Sequence, residues 1–306
     1  MIETFHQTLP HGITLSCRAA GTPGRPVLLF LHGFPEAAFV WDHLLEHFAR
    51  PEHGGYRCVA PNLRGFEQSS APTDVAAYRA KPLVQDLSAL IDAITSNSPT
   101  PGQLAGLVAH DWGGALAWSV AAQWPGALRQ LVIVNAPHPA AFQRELANSP
   151  TQQASSAYMN FLARPDAPAL LAENDFARLW PFFTNMAADS GPMAWLDDAT
   201  RDRYRSVWRQ GLHGPCAYYA ASPLRPPTPG DPGAAAVQLP RERVMVHVPT
   251  LVVWGLGDTA LPETLLDGLD GFVPELRIER VPGATHWIVH EQPQHVAALI
   301  EGFLTP

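Results

Sequence analysis

Short apolar runs closed by turn residues recur along the chain and alternate with stretches of helical spacing. Pro26-Val27-Leu28-Leu29-Phe30-Leu31 is unbroken and ends at His32-Gly33, the pattern of a strand buried on both faces. Trp41–Arg50 predicts a helix and Tyr56–Ala60 a strand. Leu83–Thr95 places Leu83, Leu87, Leu90, Ile91 and Ile94 on one helical face. Leu104–Ala109 predicts a strand, Gly113–Gln123 a helix of small residues and Leu131–Val134 another strand. From Pro137 to Pro240 the pattern changes to aromatic-rich and helical, with no buried strand run, and closes on a proline-dense stretch from Pro223 to Pro240. Alternation resumes with the strand Thr250–Trp254, the segment Glu263–Leu269, the strand Leu276–Val281 and a helix over Gln294–Phe303.

Strand-helix alternation of this kind predicts an α/β fold, a mostly parallel sheet with helices on both faces. Residues 1–136 and 241–306 are expected to form the core, and 137–240 an inserted helical cap with a proline-rich return segment, an ordered wrap or hinge. No internal repeat is visible. The 306 residues, 46% apolar and 16% charged, have a globular composition.

Charge narrows the choice of partner. Twenty Lys and Arg against 28 Asp and Glu give a net charge of −8 without any basic block, which argues against a polyanion and sets nucleic acid aside. No apolar run reaches the ~18–20 residues that span a bilayer, and Met1–Pro10 lacks a basic-then-apolar leader. A soluble, cytoplasmic protein is the expectation, and the pattern is silent on oligomeric state. Cys17, Cys58 and Cys216 are three, far apart, and in no metal-ligand spacing, so neither a disulfide framework nor a metal centre is expected. Cys58 reads as a buried small residue on a strand.

Candidate chemistry concentrates after the predicted strands. Ala109-His110-Asp111-Trp112-Gly113-Gly114 joins a strand to a helix with small residues two before and two after Asp111, as a sharp nucleophile elbow requires. Asp111 would there be a nucleophile; as an isolated feature it reads equally well as a helix N-cap. His32-Gly33-Phe34-Pro35-Glu36 follows the Val27–Leu31 strand, where one oxyanion-hole donor is expected, so the backbone N–H groups of Phe34 and Trp112 are the candidate pair. Pro35 would fix that turn through a cis bond, and Glu36 reads as a loop or helix-start carboxylate. Trp254-Gly255-Leu256-Gly257-Asp258 breaks a strand into a glycine loop ending in an acid, and Gly283-Ala284-Thr285-His286-Trp287 follows the last strand. Nucleophile, acid and histidine in that order predict that Asp111, Asp258 and His286 form one triad.

With these motifs, together with Pro61-Asn62-Leu63-Arg64-Gly65-Phe66, the chain resembles the α/β-hydrolase superfamily over nearly its whole length, and specifically its epoxide hydrolase branch with an aspartate nucleophile. The resemblance implies hydrolysis of an epoxide to a vicinal diol through an aspartyl ester, with water as the second reactant and no cofactor or metal. It also implies two cap tyrosines that hydrogen-bond the epoxide oxygen. Tyr158, seven residues before Pro165, resembles the first. Tyr219, in Ala217-Tyr218-Tyr219-Ala220, resembles the second, although alanines stand where the family commonly has Asn and Arg. Either tyrosine would otherwise be a packed aromatic.

The residue type itself favours attack at a saturated carbon: a serine would end as an inert ether, whereas a carboxylate forms an ester that water can cleave. A haloalkane or haloacid dehalogenase built on the same three residues is the alternative. However, Phe34-Pro35-Glu36 offers no second halide donor, and Trp112 and Ala115 stand where a haloacid enzyme has arginines. Trp112, Phe34, Pro35 and Trp287, with Trp180, Phe182 and Phe183, are the expected wall of an apolar pocket suited to an aryl-substituted substrate.

Overall fold

The computed structural model describes residues 1–184 and 193–304. Eight strands form one sheet: β1 (Glu3–Thr8), β2 (Thr14–Ala20), β3 (Val27–Leu31), β4 (Arg57–Pro61), β5 (Gly106–His110), β6 (Leu131–Val134), β7 (Thr250–Gly255) and β8 (Leu276–Val281). Their spatial order is β1-β2-β4-β3-β5-β6-β7-β8, antiparallel across β1, β2 and β4 and parallel from β4 onward. Central strands β3, β5, β6 and β7 are buried at every position, which is why they appear in the sequence as unbroken apolar runs.

Helices α1 (Asp42–Phe48), α2 (Ala80–Thr95) and α3 (Asp111–Gln123) connect the early strands. Among the described residues the path from β6 to β7 contains seven α-helices and no strand: α4 (Pro139–Asn148), α5 (Pro150–Ser155), α6 (Ala157–Leu162), α7 (Ala167–Phe176), α8 (Trp180–Thr184), α9 (Asp198–Trp208) and α10 (His213–Ala221). Asn174 and Asp175, both left-handed, break α7 before its end. The proline-dense return is ordered: Arg225 pairs with Asp231, and Asn160 Nδ2 donates to the Pro226 carbonyl at 3.1 Å. The chain ends in α11 (Ile288–Glu291) and α12 (Pro293–Leu304). All three cysteines are free and buried, Cys58 on β4.

Two features that the sequence left open have local causes. The hairpin β1–β2 has no apolar run to announce it, because β1 is a half-exposed edge strand and β2 is built from Thr, Ser, Arg and small residues. The segment Glu263–Leu269, left without a type by the sequence, opens with the 3₁₀ turn Glu263–Leu266 and ends where a second, Leu269–Gly271, begins after Gly268 at φ +71°.

Candidate active site

The strand order sets the site. Loops after β3, β5 and β7, all parallel, leave the same edge of the sheet at its centre, where ligands bind in open α/β sheets. Asp111 opens α3 directly from β5 with φ +50°, a left-handed backbone for a non-glycine residue that lifts its side chain out of the turn. This strained turn is tight against the sheet. A Cβ at Gly113 would lie 2.5 Å from the Leu31 carbonyl oxygen, and one at Gly33 would lie 2.1 Å from Asp111 Oδ1.

Phe34 N–H donates to Asp111 Oδ1 at 2.6 Å, from a loop whose Phe34–Pro35 peptide is cis. The Trp112 N–H, in the first turn of α3, has no intrahelical carbonyl to bind. On the other side, His286 Nε2 lies 3.8 Å from Asp111 Oδ2, and His286 Nδ1 lies 2.7 Å from Asp258 Oδ2. The structure thus brings together Asp111, His286 and Asp258 in that order.

Asp258 is held by four groups. Its Oδ1 accepts the N–H of Ala260 and Leu261, each at 2.9 Å, and its Oδ2 accepts Asn135 Nδ2 at 2.8 Å as well as the imidazole. Asn135, itself at φ +40°, also accepts the Gly255 N–H at 2.9 Å, so the end of β6 fixes the acid carried by β7. Burial alone would lower the pKa of His286. The charge and hydrogen bond of Asp258, then the charges of Asp111 and Glu36, outweigh it and carry the imidazole up to about 9. The resting site therefore holds an imidazolium between two carboxylates at neutral pH.

Glu36 lies, as expected, in the loop just ahead of the 3₁₀ turn Ala38–Trp41, and its burial is what the sequence did not announce. It is fully buried, its Oε1 accepts from Tyr204 of α9 at 2.8 Å and lies 2.6 Å from His290 Nε2, and its Oε2 is 3.3 Å from His110 Nδ1. Burial opposes its ionisation, but these two histidines hold its carboxyl well below the usual carboxylate range. His110 Nε2 bonds the His286 carbonyl at 2.9 Å; a carbonyl only accepts, so that nitrogen carries a proton. Sequence reasoning missed Asn135, Glu36, His110 and Tyr204. For Glu36 and His110 the signal was their position beside motif residues; for Asn135 and Tyr204 there was none.

A cavity of about 270 Å³ lies between Asp111 and the helical segment. Its wall includes Trp112 and Leu116 from α3, Tyr158 and Met159 from α6, Tyr219 from α10 and Leu224. Both expected tyrosines thus reach the cavity that Asp111 opens into. The Tyr219 ring meets Phe34 and Trp112 edge-on at 5.2 Å each, and Tyr158 meets Phe182 at 5.5 Å. Burial, with the charges of Asp111 and Asp258, pushes the Tyr158 phenol well above its ordinary range. Burial, then Tyr158 and Asp111, does the same to Tyr219. Both phenols therefore stay protonated at neutral pH.

Of the expected pocket residues, only Trp112 is on this wall; Phe34, Pro35 and Trp287 are not. Phe34 turns its ring against Tyr219 and Phe182 behind the wall. Trp287 is fully buried, donating its indole N–H to the Phe182 carbonyl at 3.2 Å and packing on Phe183. Trp180 and Phe183 likewise pack on Trp208, the first tilted and the second stacked, so these large rings are used for packing.

The family model of the α/β hydrolase fold matches residues 26–293, and the chain belongs to that family. It is 32% identical over 305 residues to epoxide hydrolase 3 of Xenopus tropicalis, covering 96% of this chain and 75% of the relative. A solved structure of novel epoxide hydrolases of the α/β-hydrolase superfamily, from metagenomes of hot environments, superposes with a TM-score of 0.86 at 36% identity. It covers 100% of this chain and 99% of that one. The inhibitor complex of Bacillus megaterium epoxide hydrolase superposes with a TM-score of 0.86 at 26% identity, covering 99% and 100%. Within the α/β hydrolases the chain falls in the epoxide hydrolase branch, and it is an enzyme of the hydrolase class. No helix among the described residues is long and apolar enough to cross a membrane.

Proposed function

We propose that the protein hydrolyses an epoxide to a vicinal diol through an ester formed on Asp111. The observation that carries this reading is a carboxylate at the elbow, in line with His286 and Asp258, facing a mostly apolar cavity that two protonated tyrosines also line. Segment 137–240 then acts as the cap that brings those tyrosines over the nucleophile.

In this reading Asp111 Oδ2 attacks a ring carbon, since Oδ1 is already held by the Phe34 N–H. A C–O bond forms to the carboxylate as the C–O bond of the ring breaks, and the opening oxygen takes a proton from Tyr158 or Tyr219. An alkoxide is more basic than a phenolate, so the transfer runs downhill even for phenols of raised pKa. Neutral O–H donors suit an oxygen that must be protonated, which favours an epoxide over a halide leaving group.

Alkylation removes the Asp111 charge, one of the groups that keeps His286 protonated, so the imidazolium passes its Nε2 proton to the tyrosinate left by ring opening, which restores the phenol and leaves Nε2 free to act as a base. Water then adds to the ester carbonyl carbon and gives a proton to His286. The N–H groups of Phe34 and Trp112 hold the oxyanion, each such donor contributing roughly 3 kcal/mol to the barrier reduction. On collapse the acyl bond breaks, the alcohol leaves with the proton of His286, and the proton left on Asp111 passes to the imidazole, which is again an imidazolium beside a carboxylate. Epoxide and water become diol, and every group is restored.

Single turnover in ¹⁸O-water tests this directly: label is expected in Asp111, read by peptide mass spectrometry. Diol formed with Asp111 unlabelled would exclude the covalent route. His286→Gln is expected to trap the ester as a mass increase equal to that of the epoxide.

A further inference from the structure

At the edge of the sheet opposite Asp111, two histidines and a glutamate converge. The carbonyl of Phe303, near the end of α12, accepts from Gln130, just ahead of β6, at 2.6 Å, so the C-terminal turn of α12 lies at the strand starts. Glu301 is in that turn, His47 in the last turn of α1, and His53 in the 3₁₀ turn Pro51–His53 that leads to β4. His47 Nε2 is 3.4 Å from Glu301 Oε2, and His53 Nδ1 is 3.0 Å from Oε1. One ligand atom from each of the three side chains lies within 4.8 Å of the others.

We propose that His47, His53 and Glu301 form a binding site for a divalent transition metal of the zinc class, with a fourth position open to water. Ligands about 2.0–2.1 Å from a tetrahedral ion stand about 3.3 Å apart, close to the two contacts already present. Two imidazoles and one carboxylate suit zinc, cobalt or nickel, and not magnesium or calcium, which take all-oxygen shells. The rings are nearly parallel, 21° between planes with centroids 3.7 Å apart, so binding turns them toward a shared point. That rotation is about the soft outer torsion of histidine, and all three side chains are partly exposed, at 17%, 26% and 37%.

Such an ion joins residues 47–53 to residue 301 and so ties the C-terminal helix to the connection between α1 and β4. The role is structural and independent of how the cavity at Asp111 is used.

Metal-free protein is titrated with ZnCl₂, and in parallel with MgCl₂, by calorimetry, alongside H53Q and E301Q. Wild type is expected to bind one zinc and no magnesium. Each substitution should weaken binding by at least the roughly 10–100-fold that loss of an outer partner costs. Saturating zinc should raise the wild-type Tm by about 5 °C, and EDTA should reverse it. CoCl₂ should give the intense visible bands of a tetrahedral ion in wild type, and epoxide turnover of the metal-free variants should equal wild type. No zinc binding by wild type, or undiminished binding in both variants, would overturn the site, since other histidines among the 13 would then be responsible.

Discussion

The two walls of the cavity are built by different physics. On the sheet side every charged group is held by directional bonds from backbone or buried polar partners: Asp111 by the Phe34 N–H, and Asp258 by two N–H groups, Asn135 and His286. On the helical side Tyr158 and Tyr219 are placed by ring edges against Phe34, Trp112 and Phe182. Hydrogen bonds to charged groups have sharp distance and angle requirements, whereas aromatic packing tolerates small shifts. The sheet side is thus fitted to fix the reacting atoms, and the helical side to adapt to what is bound.

Substitutions should separate the two walls by size of effect. Asp111→Asn is expected to lower kcat by at least about 10⁴-fold, measured as diol formation, with mass spectrometry excluding slow deamidation back to Asp. Activity retained in the intact Asn protein would move the nucleophile elsewhere. Asp258→Asn should cost about 10³–10⁴-fold. It should also lower the His286 pKa from about 9, as followed by the imidazole NMR signals across pH. Because the folded pKa lies above the ordinary 6.5, protonated His286 contributes roughly 3 kcal/mol of stability. That contribution is fully present below pH 6.5 and is lost as pH rises through about 9. Denaturant unfolding across this window should show the loss in wild type and little of it in the variant.

On the helical wall, Tyr158→Phe and Tyr219→Phe should each slow ring opening by about 10²-fold and spare ester hydrolysis. Rapid-quench kinetics resolves the two steps. Equal slowing of both would show that the helical wall positions the whole site instead of assisting one proton transfer. The smallest effect is expected where the walls meet. Tyr204→Phe removes the hydroxyl that α9 donates to buried Glu36, lowering stability by about 2 kcal/mol with a smaller change in kcat, read by thermal unfolding.

The central strands and α3 were legible because a strand buried on both faces must be apolar throughout, and the elbow was legible because only small residues fit its turn. The hairpin β1–β2 was not, because an edge strand with one face in water has no such requirement. The aromatic-rich insertion announced its helices but not their packing: Phe183, expected at the pocket, is in the core, while Met159 and Leu224 line the cavity. Large rings fill whichever space is largest, and one-dimensional pattern does not locate that space.

Chain order alone determined which residue types stand after which strands, and with that the candidate nucleophile, acid and histidine, because each is tied to a local turn. Only the folded molecule decided that Glu36, far from His290 and Tyr204 in sequence, lies buried between them, and that Asn135 holds Asp258. The pKa of His286 was decided there too. Burial energies and charge-charge interactions depend on distances through space, and these exist only once the sheet has brought its loops together.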